Sequence, residues 1–334
     1  MKISLSLIIF LFIAADAFGQ RADNWAIDNH AEIISAATPE SLALKLTEPY
    51  TTDRQKARAI FRWITANIEY DMSRYTRSAT SLRQAKPVSR DTTYDDRSLN
   101  ERIAYNVMKK GAAVCDGYAR LFQALCDYAG VRSTIISGFA RSDGDRPGLR
   151  FGANHSWNAV YLDSAWHLLD ATWASGYVIS GTNTFVKNLD ESYYLAPPER
   201  FARNHYPEEP QWALLSEPHT PTEFQHSPFK PMAFYKYGIQ SFIPASGIVE
   251  AAPGDTLQLF ITADPARLKR IASNSGADVT PPESLFNYAQ LTNPRTVAQG
   301  RLVYTYIVPA EAPEWLNLVY NEDVVLRYRL RRRG

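Results

Sequence analysis

The run Asn154-His155-Ser156-Trp157-Asn158-Ala159-Val160-Tyr161-Leu162-Asp163-Ser164-Ala165-Trp166-His167-Leu168-Leu169-Asp170-Ala171-Thr172-Trp173 decides how this chain is read. His155 to Leu162 and Trp166 to Thr172 have the composition of strands, and Asp163-Ser164 supplies the small polar residues of a tight turn between them. A turn at that point pairs residue 157 with 170 and residue 155 with 172. His155 and Asp170 then share one sheet face as diagonal neighbours, within reach of longer side chains. A slip of one residue would put them on opposite faces.

Working outward, Val131 to Ala140 reads as a further strand, with a Gly- and Asp-containing loop at 141–153. Before it, a helix begins near Cys115 and runs through Tyr118, Leu121, Phe122, Leu125 and Cys126 to Ala129, with Gly130 as its C-cap. Another helix spans about 99–109 and ends near Gly111. Earlier still, Ala57, Ile60, Phe61, Ile64 and Ile68 recur at helical spacing, with Asp53 offering an N-cap. Residues 73–98 are polar, carry Pro87 and read as a long surface loop with room for one short helix. Residues 190–215 read as aromatic and Pro-rich packing arms. From about 225 the chain is strand-rich, as in Thr256–Ile261, Arg301–Ile307 and Val324–Leu330, which suggests a small β-sandwich.

Cys115 follows Gly111-Ala112-Ala113-Val114 at a helix start, where the dipole and free N–H groups favour a thiolate and could cradle an oxyanion. Gly117 permits close backbone approach there. Position alone favours a buried structural cysteine, since free cysteines are commonly buried. His155 and Asp170 add a base and an orienting carboxylate, which is the logic of cysteine hydrolases and acyltransferases. The only other cysteine, Cys126, lies eleven residues further on. On one helix that is roughly 16 Å, beyond the ~7 Å between Cα atoms that a disulfide tolerates. Cys126 therefore reads as core, and Asp116 as a partner of the helix dipole. Asn154 or Asn158 could hold the histidine or serve the hairpin. Trp157, Trp166 and Trp173 are candidates to line a substrate groove, although aromatic residues beside a sheet more often serve as core. His167 alternates away from the Asp170 face, and His30, His205, His219 and His226 show no metal-ligand spacing, so no metal or other cofactor is expected.

The 334 residues are enough for a large domain and a smaller one. A hydrophobic content of 45% and a charged content of 21% are ordinary for a folded chain. A formal net charge of +1 gives no electrostatic reason to expect nucleic acid as a partner. Lys2, the apolar run Ile3 to Ala15, and the small residues Ala17 and Gly19 predict a signal peptide over 1–19, cut before Gln20. The run is shorter than the roughly 20 residues of a membrane-spanning helix, so export to a periplasmic or secreted location without a membrane span is expected.

These motifs, in this order, resemble the transglutaminase-like superfamily. Lys56-Ala57-Arg58-Ala59-Ile60-Phe61-Arg62-Trp63-Ile64 with Ile68-Glu69-Tyr70-Asp71 is similar to the helix preceding the family core. Val114-Cys115-Asp116-Gly117-Tyr118-Ala119 resembles the nucleophile motif. Asn154-His155-Ser156-Trp157-Asn158 and Leu169-Asp170-Ala171-Thr172-Trp173 resemble the His and Asp motifs. The run Phe201 to Trp212 is similar to an arm of the kyphoscoliosis-peptidase branch. The resemblance implies an α+β, papain-like core of helices packed on an antiparallel sheet over 20–215, followed by the β-rich domain at 225–334. It implies Cys115 as nucleophile, His155 as base and acid, and Asp170 as orienting carboxylate. A thioester would form on attack at an amide and be resolved by water, in a peptidase or amidase, or by an amine, in a cross-linking transglutaminase. The substrate would be a protein or peptide, cell-wall peptide included. A non-catalytic binding scaffold is the alternative of a different class. Papain-type enzymes place a Gln upstream of the cysteine, whereas Ala112, Ala113 and Val114 here offer no side-chain donor.

Overall fold

The structure is a computed structural model that describes residues 24–73, 97–141, 152–179, 182, 184–268 and 287–333. The predicted signal segment, nearly all of the 73–98 loop and most of the 141–153 loop lie outside the described residues. Two compact units emerge: residues up to 138 with 154–198, and residues 139–153 with 199–334.

In the first unit, α1 (residues 24–33), α2 (Pro39–Thr47), α3 (Asp53–Asn67), α4 (Leu99–Lys110) and α5 (Cys115–Ala129) precede the central strands. Local chemistry starts them. Thr38, Thr52 and Ser98 each cap a helix in a reciprocal box with Ser41, Gln55 and Glu101. Asp53, expected as the cap of α3, is its first residue, because the Thr52 hydroxyl takes up the Gln55 N–H. Gly111 and Gly130 close α4 and α5 in the left-handed conformation.

The helices α2, α3 and α5 bury Leu42, Leu46, Ile60, Phe61, Ile64, Leu121, Phe122 and Leu125. α5 packs on the antiparallel sheet of β3 (Ser133–Ala140), β4 (His155–Leu162) and β5 (Ala165–Leu169). Asp163 and Ser164 both have positive φ (51° and 65°), the two-residue turn whose twist matches that of the flanking strands. The expected register holds, with Leu162 opposite Ala165 and Asn158 opposite Leu169. Pairing stops there. The predicted second strand ends at Leu169, and residues 171–174 form a short helix, α6 (Ala171–Ala174), capped by Asp170. The Asp170 carboxylate captures the Thr172 and Trp173 N–H groups and turns the chain out of the ladder.

The second unit is strand-rich. After the short strands β6 (Gly176–Val178), β7 (Phe185–Lys187) and β8 (His205–Pro207), the chain forms two four-stranded sheets that share one core. The first contains β10 (Ile248–Ala251), β12 (Tyr288–Leu291), β15 (Trp315–Tyr320) and β16 (Asp323–Arg332). The second contains β9 (Ile239–Ile243), β11 (Thr256–Ala263), β13 (Arg295–Ala298) and β14 (Arg301–Ile307). Leu259, Ile261, Leu302 and Tyr304 meet Leu316, Leu318, Leu326 and Tyr328 between the sheets, the interior of a sandwich. The 190–215 stretch, read as irregular arms, holds short elements such as the 3-10 turns Glu191–Tyr193 and Pro210–Ala213. Among the described residues no helix is long and apolar enough to cross a membrane.

Candidate active site

Cys115 is the first residue of α5 and half-buried. A short parallel pair, β1 (Glu69–Tyr70) with β2 (Ala112–Ala113), fixes the chain just before it. The Asp71 N–H extends the pair to the Ala113 carbonyl at 2.9 Å. Gly117 is required by space, since a Cβ there would lie 2.7 Å from that of Ala113 and 3.1 Å from Val107 Cγ2. The N–H groups of Gly117 and Tyr118 bond the Val114 carbonyl. Those of Cys115 and Asp116 are among the first four N–H groups of the helix, which have no i−4 acceptor within it.

His155 opens β4 and is 9% exposed, and Asp170 is fully buried. Imidazole Nε2 lies 2.7 Å from Asp170 Oδ2. The other carboxylate oxygen, Oδ1, accepts from Thr172 N at 2.8 Å and Trp173 N at 3.1 Å. Asp170 thus serves at once as helix cap and as orienter of the histidine. Its own N–H donates to the Tyr193 carbonyl at 3.0 Å. The Cys115 side chain is within hydrogen-bonding reach of the imidazole. Burial opposes a charge on His155, but the Asp170 carboxylate, aided by Cys115, outweighs it and raises the pKa from 6.5 to about 10.

A group held charged in this way stabilises the fold below its unfolded pKa of 6.5, and the contribution is lost as pH rises through about 10. Denaturant unfolding of the wild type and of His155→Gln is expected to show a stability gap at pH 6 that shrinks towards pH 10. A gap of constant size would contradict the charged pair.

Trp157 is 1% exposed, with its ring stacked 6.1 Å from that of His155. It supports the imidazole from within the core and has no free face for a substrate, contrary to the expectation of a groove residue. Trp173 is half-buried, 5.5 Å from the imidazole and edge-on to Tyr193, and retains an outer face. Asn158 does not hold the histidine. Its amide donates to the carbonyls of Ala119 (3.0 Å) and Thr134 (3.2 Å), pinning α5 to the sheet. The Asp116 carboxylate is occupied by Arg120 Nε at 2.9 Å. Cys126 is buried and burial pushes its thiol pKa up, as fits a core residue. His30 meets the Tyr50 hydroxyl, and His205 is buried in the second unit, stacked on Phe201 with Nδ1 2.7 Å from Asn204 Oδ1.

Sequence reading overlooked Arg58. Its guanidinium is 3% exposed and gripped by Asp28 (2.7 and 2.6 Å) and Glu191 (2.7 and 2.6 Å). Burial opposes its charge, but the bonds to Glu191 and Asp28 more than offset this and raise its pKa. An arginine between Ala57 and Ala59 on the buried side of an amphipathic helix was the available signal.

Residues 40–171, which hold Cys115, His155 and Asp170, match the model of the transglutaminase-like superfamily. This part of the chain belongs to that superfamily. Among curated proteins the chain is similar to human kyphoscoliosis peptidase, 31% identical over 232 residues, which make up 68% of this chain and 32% of the peptidase. It is also similar to hillarin of Drosophila melanogaster, 30% identical over 211 residues, covering 59% of this chain and 23% of hillarin. The chain thus spans only about a third or less of the length of these relatives. A crystal structure of a TGase overlaps 51% of this chain and 36% of its own at 14% identity, with a TM-score of 0.28.

Proposed function

We propose that the first unit is a thiol-dependent acyl-transfer enzyme acting on amides of proteins or peptides, in the first place a peptidase or amidase. The observation that supports this reading is the line of contacts from the α5 start through His155 to Asp170. The Cys115 thiolate attacks an amide carbonyl carbon, and helix-start N–H groups receive the oxyanion. Collapse breaks the C–N bond as His155 gives its proton to the leaving amine. Water, deprotonated by His155, then opens the thioester and returns the thiol. The outer face of Trp173 is the surface proposed to meet substrate beside the imidazole. The N-terminal pattern supports export, with peptide, cell-wall peptide included, as the substrate outside the cell.

Iodoacetamide tests the thiol. Cys115 is expected to label rapidly in the native protein at about pH 6, where an ordinary thiol with a pKa near 8.5 is almost wholly protonated. Cys126 stays unlabelled, and His155→Ala removes the fast phase. Labelling of wild-type Cys115 at the rate of free cysteine would favour a binding scaffold. Offering an amine donor with a glutamine-containing protein then separates the chemistries. Amine incorporation without cleavage would replace hydrolysis by cross-linking.

A further inference from the structure

Asn158 lies within β4, is 1% exposed, and shares the strand with the buried apolar residues Trp157, Ala159, Val160 and Leu162. Packing alone would be served there by leucine. The amide nitrogen donates one hydrogen to the Thr134 carbonyl on β3 at 3.2 Å and the other to the Ala119 carbonyl on α5 at 3.0 Å. Both partners are carbonyl oxygens, so only this orientation of the amide fits. The first bond anchors the side chain to the neighbouring strand, where Thr134 pairs with Ala159. The second crosses from the sheet to the helix. The Ala119 carbonyl has no need of it, because Ala119 lies inside α5 and the helix ladder already supplies an N–H there. The amide oxygen Oδ1 is buried with no hydrogen-bond partner among the described residues, which lowers stability. A polar side chain kept on those terms in an apolar strand is accounted for by the cross-link it makes.

We propose that Asn158 is a positioning residue for the acyl-transfer chemistry, its amide tying the helix that starts at Cys115 to the strand that starts at His155. The inference rests on the reading of Cys115 as nucleophile. Thiol and imidazole stand on different elements, so their separation depends on how α5 lies on β4. Ala119 is one turn beyond Cys115, about 6 Å along the helix axis. Asn158 follows His155 by about 10 Å of strand. The tether is therefore close to both reacting groups, and a slide of α5 along the sheet breaks it. Apolar contacts between helix and sheet are non-directional and oppose such a slide less sharply. Misplacement by about 1 Å can cost on the order of 10²-fold in rate. The groups facing the imidazole are the Asp170 carboxylate and the Cys115 thiol. Asn158 carries no charge, so it acts on that pair through distance.

The test is the pH profile of Cys115 alkylation by iodoacetamide in the full chain, for the wild type and Asn158→Leu, which keeps the core filled and removes both donors. At about pH 9.5, where an ordinary thiol is largely ionised, the two are expected to react within about 2-fold of one another. At about pH 6 the rate of Asn158→Leu is expected to fall roughly 10-fold. A purely structural role would shift the melting temperature and leave the ratio of the two rates unchanged. A folded Asn158→Leu with the wild-type ratio overturns the positioning role alone. If Asn158→Leu fails to fold, Asn158→Ala decides on the same ratio. A further measurement needs no variant. The two side-chain amide protons of Asn158 are expected to exchange with solvent at least about 10²-fold more slowly than those of an exposed asparagine, and equal rates overturn the tether. A wild-type alkylation ratio equal to that of free cysteine, unaffected by His155→Ala, overturns the nucleophile reading and this proposal with it.

Discussion

Replacing Asp170 by asparagine is expected to slow alkylation of Cys115 at about pH 6 by on the order of 10²-fold, and turnover of a peptide amide by about 10³–10⁴-fold. The substitution keeps the size of the side chain and one carbonyl-type oxygen. That oxygen can go on capping α6 through the Thr172 and Trp173 N–H groups. The opposite corner then presents an amide NH₂ to His155 Nε2, now 2.7 Å from a carboxylate oxygen. A donor there forces Nε2 to accept, so that Nδ1 carries the proton and can no longer take one from the thiol. The charge that holds His155 protonated is lost at the same time. Helix capping survives while proton transfer does not, so circular dichroism is expected to remain native as the fast labelling disappears. Fast labelling that persists in this variant would show that Asp170 does not orient the base.

Arg58→Leu is expected to destabilise the first unit by about 3 kcal/mol, the low end of the 3–5 kcal/mol seen when one partner of a buried ion pair is removed. The low end applies because the Glu191 side chain is 52% exposed and can rehydrate, whereas Asp28 is only 20% exposed. The melting temperature should fall by roughly 6–12 °C, given about 2–4 °C per kcal/mol for a unit of this size. Glu191→Gln should cost far less, because Arg58 keeps its two bonds to Asp28. The effect reaches the site. Glu191 begins the 3-10 turn that ends at Tyr193, whose carbonyl accepts the Asp170 N–H. Arg58→Leu should therefore also slow Cys115 labelling at temperatures where the unit is still folded. Calorimetry combined with the alkylation rate checks both effects, and a melting temperature within 2 °C of wild type would rule out the clamp as a principal support.

Much of this was legible before the structure because it depends on short-range chemistry. The β4–β5 register follows from a two-residue turn, since Asp163 and Ser164 admit only one close pairing of the strands beside them. The ends of α5 follow from Gly130 and from the small residues ahead of Cys115. What escaped depends on competition between partners. The apolar pattern places Asp170 within a strand, because it cannot show that the carboxylate does better by capping two N–H groups than by continuing the ladder. Trp157 and Trp173 look alike in sequence, yet one lies beneath the imidazole in the core and the other keeps an outer face.

The sequence by itself determined α3, α4, α5 and the strands β3 and β4, the order Cys115, His155, Asp170 and the turn that folds the hairpin, because helix caps, turn residues and periodicity act over a few positions. Only the tertiary structure decided that Nε2 of His155 takes Asp170, that the Tyr118 hydroxyl donates to the Ile68 carbonyl, and that Arg58 lies between Asp28 and Glu191. Those partners stand up to 133 residues apart along the chain. Which buried polar group meets which is set by the packing of α3, α5 and the Asp170 turn, and no local pattern encodes it.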